Sequence, residues 1–400
     1  MPNIQDHAIA VGGQSLSERA FDALDSLILT QLVYMPMEGW LDQGQRCTVR
    51  EAWAFLKENC DPETLDPFQQ KRYQLTEVCA GLPRYRDWQM SDYLNHIDDA
   101  LETQFCACVY SLPDGVTYIA FRGTDLTVAG WKEDLNMSVM TVPAQREAVD
   151  YVERVSAGGD GPLITGGHSK GGNLSVYASS FVSEDVQRRI RVTYSFDGPG
   201  MDEKSLGKDG YLRIRERIDS YIPQSSIVGM LMSYHPVYTV VRAHSVGILQ
   251  HDAMTWQVKD GAFVCVDGLD MTGKVTDETL HTWLSTMDAN DRRTLVQTVY
   301  RVVDASQAEL VTDLAEDWRD TAAKALEAIR EIDPEMRKNV GVMLRSLFST
   351  GASEVIRSLL PHAARNGRAV LEKLAPSMGD KPPRQEGPSA RDADIPNALL

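Results

Sequence analysis

Gly166-Gly167-His168-Ser169-Lys170-Gly171-Gly172-Asn173-Leu174 is the stretch that decides the reading of this chain. It contains G-x-S-x-G, and the residues around it predict a short strand over 162–165 and a helix over 170–182. That is where a nucleophile on a sharp strand-to-helix turn has to lie. The turn strains the serine backbone and leaves little room, so Gly167 and Gly171 flank it. It lifts the Ser169 hydroxyl above the sheet, and the helix that follows aims its positive end at the same spot, with the Lys170 backbone N–H available to an oxyanion. A glycine-rich turn with a bystander serine is the plain alternative.

Working outward, apolar periodicity places helices on the N-terminal side. Phe21, Leu24, Leu27, Ile28 and Leu32 recur at helical spacing over 17–33, with Ser17 as the expected cap. Further helices are predicted over 48–59 and 66–80. Alternation then predicts strands over 105–111 and 116–121 around a Pro113-Asp114-Gly115 turn. A helix over 143–156, the elbow, a strand over 191–196, an irregular stretch over 198–236 and a strand over 237–247 follow. Asp260-Gly261 turns a hairpin between 256–258 and 262–266. Strand–helix–strand alternation of this kind predicts an α/β fold with a mostly parallel central sheet. From about Thr276 the strands stop. Leu295, Val296, Val299, Tyr300, Val302 and Val303 form a helical stripe, and helices are expected over 306–332, 334–348 and 352–373. The expected division is a domain over 1–270, a C-terminal helical appendage over 271–375 and a proline-rich disordered tail over 376–400.

The chain has 400 residues, 43% hydrophobic and 24% charged, which excludes a wholly disordered or collagen-like chain. Forty Lys+Arg against 57 Asp+Glu leave a formal charge of −17, which argues against nucleic acid as a bulk partner. The start carries no basic segment followed by a long apolar run, and no stretch is long and apolar enough for a spanning helix. Six scattered cysteines form no C-x-x-C pair and no zinc spacing. They read as free thiols in a reducing cytoplasm, with no metal and no cofactor required.

Ala120-Phe121-Arg122-Gly123-Thr124-Asp125, with Trp131 and Asp134-Leu135, resembles the FRGT…W…DL block upstream of the nucleophile in class-three lipases. Gly167-His168-Ser169-Lys170-Gly171-Gly172 is similar to their GHS-x-GG elbow. With Asn173 and Ser195-Phe196-Asp197-Gly198-Pro199-Gly200, the chain looks like a bacterial branch of these α/β-hydrolases without a settled function. The resemblance covers roughly residues 17–270. It implies that Thr124, the residue after Arg-Gly, supplies the second oxyanion donor beside Lys170. Arg122 reads as bracing the loop through a carboxylate, with Asp125 and Asp134 as partners, rather than as binding substrate.

A serine hydroxyl needs a base, and the base an orienting carboxylate, in the chain order Ser, Asp, His. His281 and His362 belong to the appendage, and His235 precedes a proline. His7 and His96 read as surface residues, and His168 as packed beneath the elbow. His251, in a loop, is preferred over His244, in a strand-like segment, because a base must reach across the sheet edge. Asp197 ends a predicted strand, and its F-D-G-P-G context looks like the segment holding the acid in pancreatic-type lipases. Class-three lipases keep their acid one strand later, where this chain reads Gln224-Ser225-Ser226. Asp219 is the alternative acid.

Residues 199–236 read as a lid or binding wall, apolar late on through Ile227, Val228, Met230, Leu231, Met232 and Tyr234. The basic segment 340–374 is amphipathic, and ordinary docking on the hydrolase domain is preferred there to contact with a membrane surface. The expectation is a serine esterase or lipase-like hydrolase acting on a small ester or lipid-like substrate. Ser169 is its nucleophile, His251 its base and Asp197 its acid. The alternatives are a thioesterase, phospholipase or acyltransferase with the same machinery, or a non-catalytic binding protein on the same fold, supported only by the missing acid at 225–226.

Overall fold

The computed structural model describes residues 1–41, 44–98, 103–124, 137, 141–226, 228–230, 237–245 and 247–269. The expected appendage over 271–375, its basic segment 340–374 and the tail over 376–400 lie outside the described residues.

Among the described residues eight strands form one sheet whose spatial order is the chain order: β1 (Cys47–Thr48), β2 (Gln89–Asp98), β3 (Thr103–Ser111), β4 (Thr117–Phe121), β5 (Leu163–His168), β6 (Ile190–Phe196), β7 (Ile218–Pro223) and β8 (Thr239–Val241). Pairing is antiparallel from β1 to β4 and parallel from β4 to β8. Helix α5 (Pro143–Ser156) joins β4 to β5, α6 (Lys170–Phe181) and α7 (Glu184–Arg189) join β5 to β6, and α8 (Glu203–Leu206) and α9 (Asp209–Ile214) join β6 to β7. Each parallel step moves one strand along in the same direction. The carboxyl ends of β4 to β7 therefore gather on one rim, where an α/β sheet binds and reacts. This is an α/β-hydrolase fold. A two-stranded hairpin, β9 (Val258–Lys259) with β10 (Ala262–Phe263), lies beyond it, as the Asp260-Gly261 turn predicts.

The sheet is buried on both faces, and the pleat sorts its residues. On β3, Phe105, Ala107 and Val109 join the core beneath α5 and α6. Cys106, Cys108 and Tyr110 join the opposite core, under α1 (Ile4–Val11), α2 (Ala23–Leu32), α3 (Val49–Asn59) and α4 (Pro67–Gly81). Ile119 and Phe121 of β4 face the first core, Tyr118 and Ala120 the second. Burying each large side chain contributes roughly 1.5–3 kcal/mol. The thiols of Cys47, Cys79, Cys106 and Cys108 are buried and free, and burial pushes the Cys47 thiol up to about 12.

Several expectations change. Helix α2 starts at Ala23 rather than 17, because Asp22 is its cap and Asp25 closes the reciprocal capping box. Buried Asp25 takes a two-pronged ion pair from Arg84 (Nη2 at 2.5 Å, Nε at 2.9 Å) and the Tyr85 hydroxyl at 2.8 Å. His7, read as a surface residue, is buried in α1, and burial lowers its pKa. Strand β2 was not anticipated. Its polar residues Asp92, Asn95, His96 and Asp98 break the alternation, and a register shift lies between Ser91 and Leu94. Among the described residues β1 covers only Met90 and Gln89 of β2, and polar side chains along the rest of that edge discourage pairing with another chain. The stretch read as irregular over 198–236 holds α8, α9 and the fully paired strand β7, so its first half is part of the sheet's crossover rather than a lid. Residues 227 and 231–236 lie outside the described residues.

Candidate active site

Ser169 sits between β5 and α6 with φ 59° and ψ −133°, a conformation that disfavours any side-chain-bearing residue and is found where surrounding structure enforces it. Two close approaches enforce it. A Cβ on Gly167 would lie 2.0 Å from the Gly171 carbonyl carbon, and one on Gly171 would lie 2.2 Å from the Phe121 carbonyl oxygen. No side chain fits at either place. The Ser169 N–H donates to the Phe196 carbonyl at 3.0 Å, pinning the turn to the end of β6. Lys170 opens the twelve-residue α6 and is buried; its Nζ donates to the Gln104 carbonyl at 2.7 Å, so its side chain leads away. Buried Asn173 accepts from Gln145 on α5 at 2.8 Å and donates to the Pro199 and Gly200 carbonyls at 3.2 and 2.5 Å. It thereby ties α6 to the loop after Asp197.

The turn after β4 lies directly against the elbow. A Cβ on Gly123 would meet the Ser169 Cβ at 2.8 Å and the His168 carbonyl at 2.6 Å. Thr124, the expected oxyanion donor, is the next residue. Arg122 donates from Nη2 to the Asn95 amide oxygen at 2.9 Å, and Asn95 in turn donates to Glu38. Among the described residues this amide on β2 is one brace of Arg122; its expected carboxylate partners Asp125 and Asp134, like Trp131, lie outside the described residues.

Asp197 follows β6 with φ 48°, fully buried, its N–H bonded to the Tyr221 carbonyl at 2.7 Å. One carboxylate oxygen accepts from His251 Nδ1 at 2.6 Å. The other accepts from the Ser226 hydroxyl and from the Gly229 N–H at 3.2 Å. Ser226 stands where the resemblance implies an acid, and here it donates to Asp197, which follows the preceding strand. Asp219 aligns with Tyr194, two residues before the end of β6, and is exposed; partial desolvation raises its pKa. His244 is exposed, with Nε2 beside the Met1 carbonyl at 3.0 Å. His281 and His362 lie outside the described residues, as does His235.

His251 ends a short 3-10 turn, Gly247–His251. Four contacts hold the loop. The Ser225 N–H donates to the Gln250 side chain at 2.8 Å, Trp256 Nε1 donates to the Gln250 carbonyl at 2.8 Å, Lys71 pairs with Asp252 at 2.5 Å, and His168 Nε2 donates to the His251 carbonyl at 2.8 Å. The sequence gives no sign that Lys71 or Trp256 fastens this loop, or that Ser225 and His168 do; His168 is read there only as packed beneath the elbow. His168 packs as expected and is fully buried. Burial, then the neighbouring His251 and Arg72, drive its pKa well below the ordinary value. His96 pairs with Glu147 on the surface.

The structure thus brings Asp197 and His251 together and sets Gly123 against Ser169. Among the described residues no hydrogen bond joins Ser169 Oγ to His251. Such contacts commonly tighten only with substrate bound. A carboxylate only accepts, so neutral His251 carries its proton on Nδ1 and keeps a lone pair on Nε2. Among the described residues no group of three or more His, Cys, Asp or Glu could hold a metal ion, and no helix is long and apolar enough to cross a membrane.

No curated protein sequence matches the chain. Among solved structures, M37 lipase is 15% identical over 53% of this chain and 70% of its own, with a TM-score of 0.34. A triacylglycerol lipase from Penicillium expansum is 10% identical over 44% and 75%, at 0.30. Rhizomucor miehei lipase with its propeptide is 13% identical over 61% and 81%, at 0.31. The Mbeg1-like family model matches residues 79–301, more than half of the chain and a span that contains Ser169, Asp197 and His251 alike, so this lipase-like α/β-hydrolase chain belongs to the Mbeg1-like family.

Proposed function

We propose that the protein is a serine hydrolase that cleaves carboxylic esters of a small or lipid-like substrate through an acyl-enzyme. The observation that carries this reading is the 2.6 Å contact from His251 Nδ1 to buried Asp197, on the same rim as a serine in strained elbow geometry. His251 Nε2 takes the Ser169 hydroxyl proton as the oxygen attacks the ester carbonyl. The backbone N–H groups of Thr124 and Lys170 hold the resulting oxyanion. The imidazolium, stabilised by Asp197, returns the proton to the departing alkoxide, leaving an acyl-serine. Water then attacks with the same base, and the acid leaves. Two donors, Ser226 and Gly229, satisfy the remaining charge on Asp197, which would otherwise be costly to bury.

The non-catalytic reading loses its support in the sequence, since the serine at 226 is a partner of the acid instead of its vacancy. Thioesters, phospholipids and acyl transfer use the same machinery, and a substrate panel separates them. The unbridged buried cysteines favour a reducing cytoplasm; recovery of a tagged full chain from the secreted fraction would overturn that placement. The central test is labelling with a fluorophosphonate, followed by peptide mapping. The adduct is expected on Ser169 in the native protein and absent in Ser169→Ala. Equal labelling of both, or none of either, removes the assignment.

A further inference from the structure

The base and the oxyanion turn share a support. Gly123 N–H donates to the Tyr34 hydroxyl at 3.0 Å, and that hydroxyl lies 3.5 Å from His168 Nδ1. His168 Nε2 stands 2.8 Å from the His251 carbonyl. A carbonyl only accepts, so Nε2 carries the proton and Nδ1 is left as an acceptor for the Tyr34 O–H. Every donor then faces an acceptor in one direction, from Gly123 to His251. The His168 and His251 rings lie 4.7 Å apart, centroid to centroid. The Arg72 guanidinium sits 3.8 Å over the Tyr34 ring, with Nε donating to Gln31 at 3.1 Å, which fixes the ring from its far side. His168 and Tyr34 are buried.

We infer that Tyr34 and His168 are positioning residues, a hydrogen-bonded relay that sets the backbone of His251 against the turn carrying Thr124, so that base and oxyanion donor keep a fixed separation around Ser169. This rests on the esterase reading above. Neither residue touches the reacting atoms. They act through a backbone carbonyl at one end and a backbone N–H at the other. The relay needs a neutral His168, because an imidazolium would lose the acceptor facing Tyr34. The groups around it keep it neutral: burial first, then the His251 imidazolium formed during turnover and the Arg72 cation, both of which repel a second positive charge. The proton taken from Ser169 accordingly stays on His251, although another imidazole lies beside it.

Two measurements on the full chain test the relay. In the first, kcat and KM for a short p-nitrophenyl ester and the rate of fluorophosphonate labelling are followed in His168→Phe, His168→Gln and Tyr34→Phe. A displacement near 1 Å lowers turnover by up to about 10²-fold. His168→Phe should lower kcat and the labelling rate together by roughly 10–100-fold with KM within about twofold, since no substrate contact is lost. His168→Gln, whose amide N–H reaches the same carbonyl, should recover most of the loss. Tyr34→Phe should fall between them. A His168→Phe protein within twofold of native in kcat overturns the inference, as does failure of Gln to recover more than Phe at equal thermal stability. The second measurement is ¹⁵N-histidine NMR, which does not depend on activity. His168, assigned by its absence in His168→Gln, should remain the neutral Nε2–H tautomer from pH 8 to 5. Titration in that window or an Nδ1–H tautomer overturns the relay. A native protein that fails to label with fluorophosphonate while the tautomer holds counts against the esterase reading and leaves the relay standing.

Discussion

Ser169 takes its geometry from its immediate neighbours. Gly167 and Gly171 lie two residues to either side, β5 and α6 adjoin it, and only the turn at the end of β4 and, among the described residues, one backbone bond to the end of β6 reach it from further off. His251 takes its place from the opposite strategy. Asp197 is 54 residues away, Lys71 on α4 180 residues before it holds the following aspartate, and Ser225, Trp256 and His168 fasten the loop from three more segments. A nucleophile elbow is a local steric solution that a short motif can encode. A base on a loop has no local reason to point anywhere, and many modest contacts must fix it. The serine side should therefore fail all at once and the histidine side in increments.

The largest effects break the comparison at its common point. Ser169→Ala should reduce hydrolysis of a short p-nitrophenyl ester by about 10⁶-fold, the scale of removing a triad serine, with circular dichroism unchanged. His251→Ala should come close to that loss, while His244→Ala, whose exposed ring lies beside the Met1 carbonyl, should stay within about twofold of native. Reversal of the two histidines would move the base to the strand-like segment. Asp197→Asn should lower kcat by about 10⁴-fold by removing the charge that holds the His251 tautomer, the scale of the same change in the serine-protease triad. Asp219→Asn should do little, and a crippling effect there would place the acid one strand later.

Smaller effects sharpen the contrast. Ser226→Ala removes one of the two described donors to the carboxylate oxygen of Asp197 that faces away from His251. A hydrogen bond to a charged group is worth about 1.5–3 kcal/mol, felt partly in every state of the reaction, so kcat should drop roughly tenfold. No change in kcat would make Ser226 a bystander. Breaking the wholly buried Arg84–Asp25 pair with Arg84→Ala should instead lower unfolding free energy by about 3–5 kcal/mol in denaturant titration. Activity per folded molecule should persist, because that pair lies among the N-terminal helices.

The smallest effect concerns pH. His7 and His168 have pKa values lowered by burial, so the unfolded chain binds more protons than the native one below about 6.5. Stability from these groups is fully present above that pH and is lost as pH falls toward their native values. Urea midpoints should therefore decline from pH 7 to 5, and less steeply in His168→Gln. A flat profile would mean that neither histidine is held neutral.

Residues close together in sequence settled the elbow, the strands β3 to β6 and the helix α6 that follows the nucleophile. Steric fit within nine residues and a pleat buried on both faces leave few alternatives. Strand β2 stayed hidden because an edge that discourages pairing must be polar, which erases the alternation by which strands are read. Strand β7 was lost in a stretch that reads as irregular until β6 and β8 pair with it. The sequence prefers Asp197 to Asp219 and His251 to His244 but keeps both alternatives, because two carboxylates and two imidazoles offer the same chemistry. The register of β6 on β7, which puts Asp197 past the rim and Asp219 short of it, and the 247–251 turn, which brings His251 to Asp197, support that preference. The serine at 226 makes the same point. As a letter it reads as a missing acid, and as a hydroxyl beside Asp197 it is a donor, because a side chain's role follows from the partner that the fold places within reach.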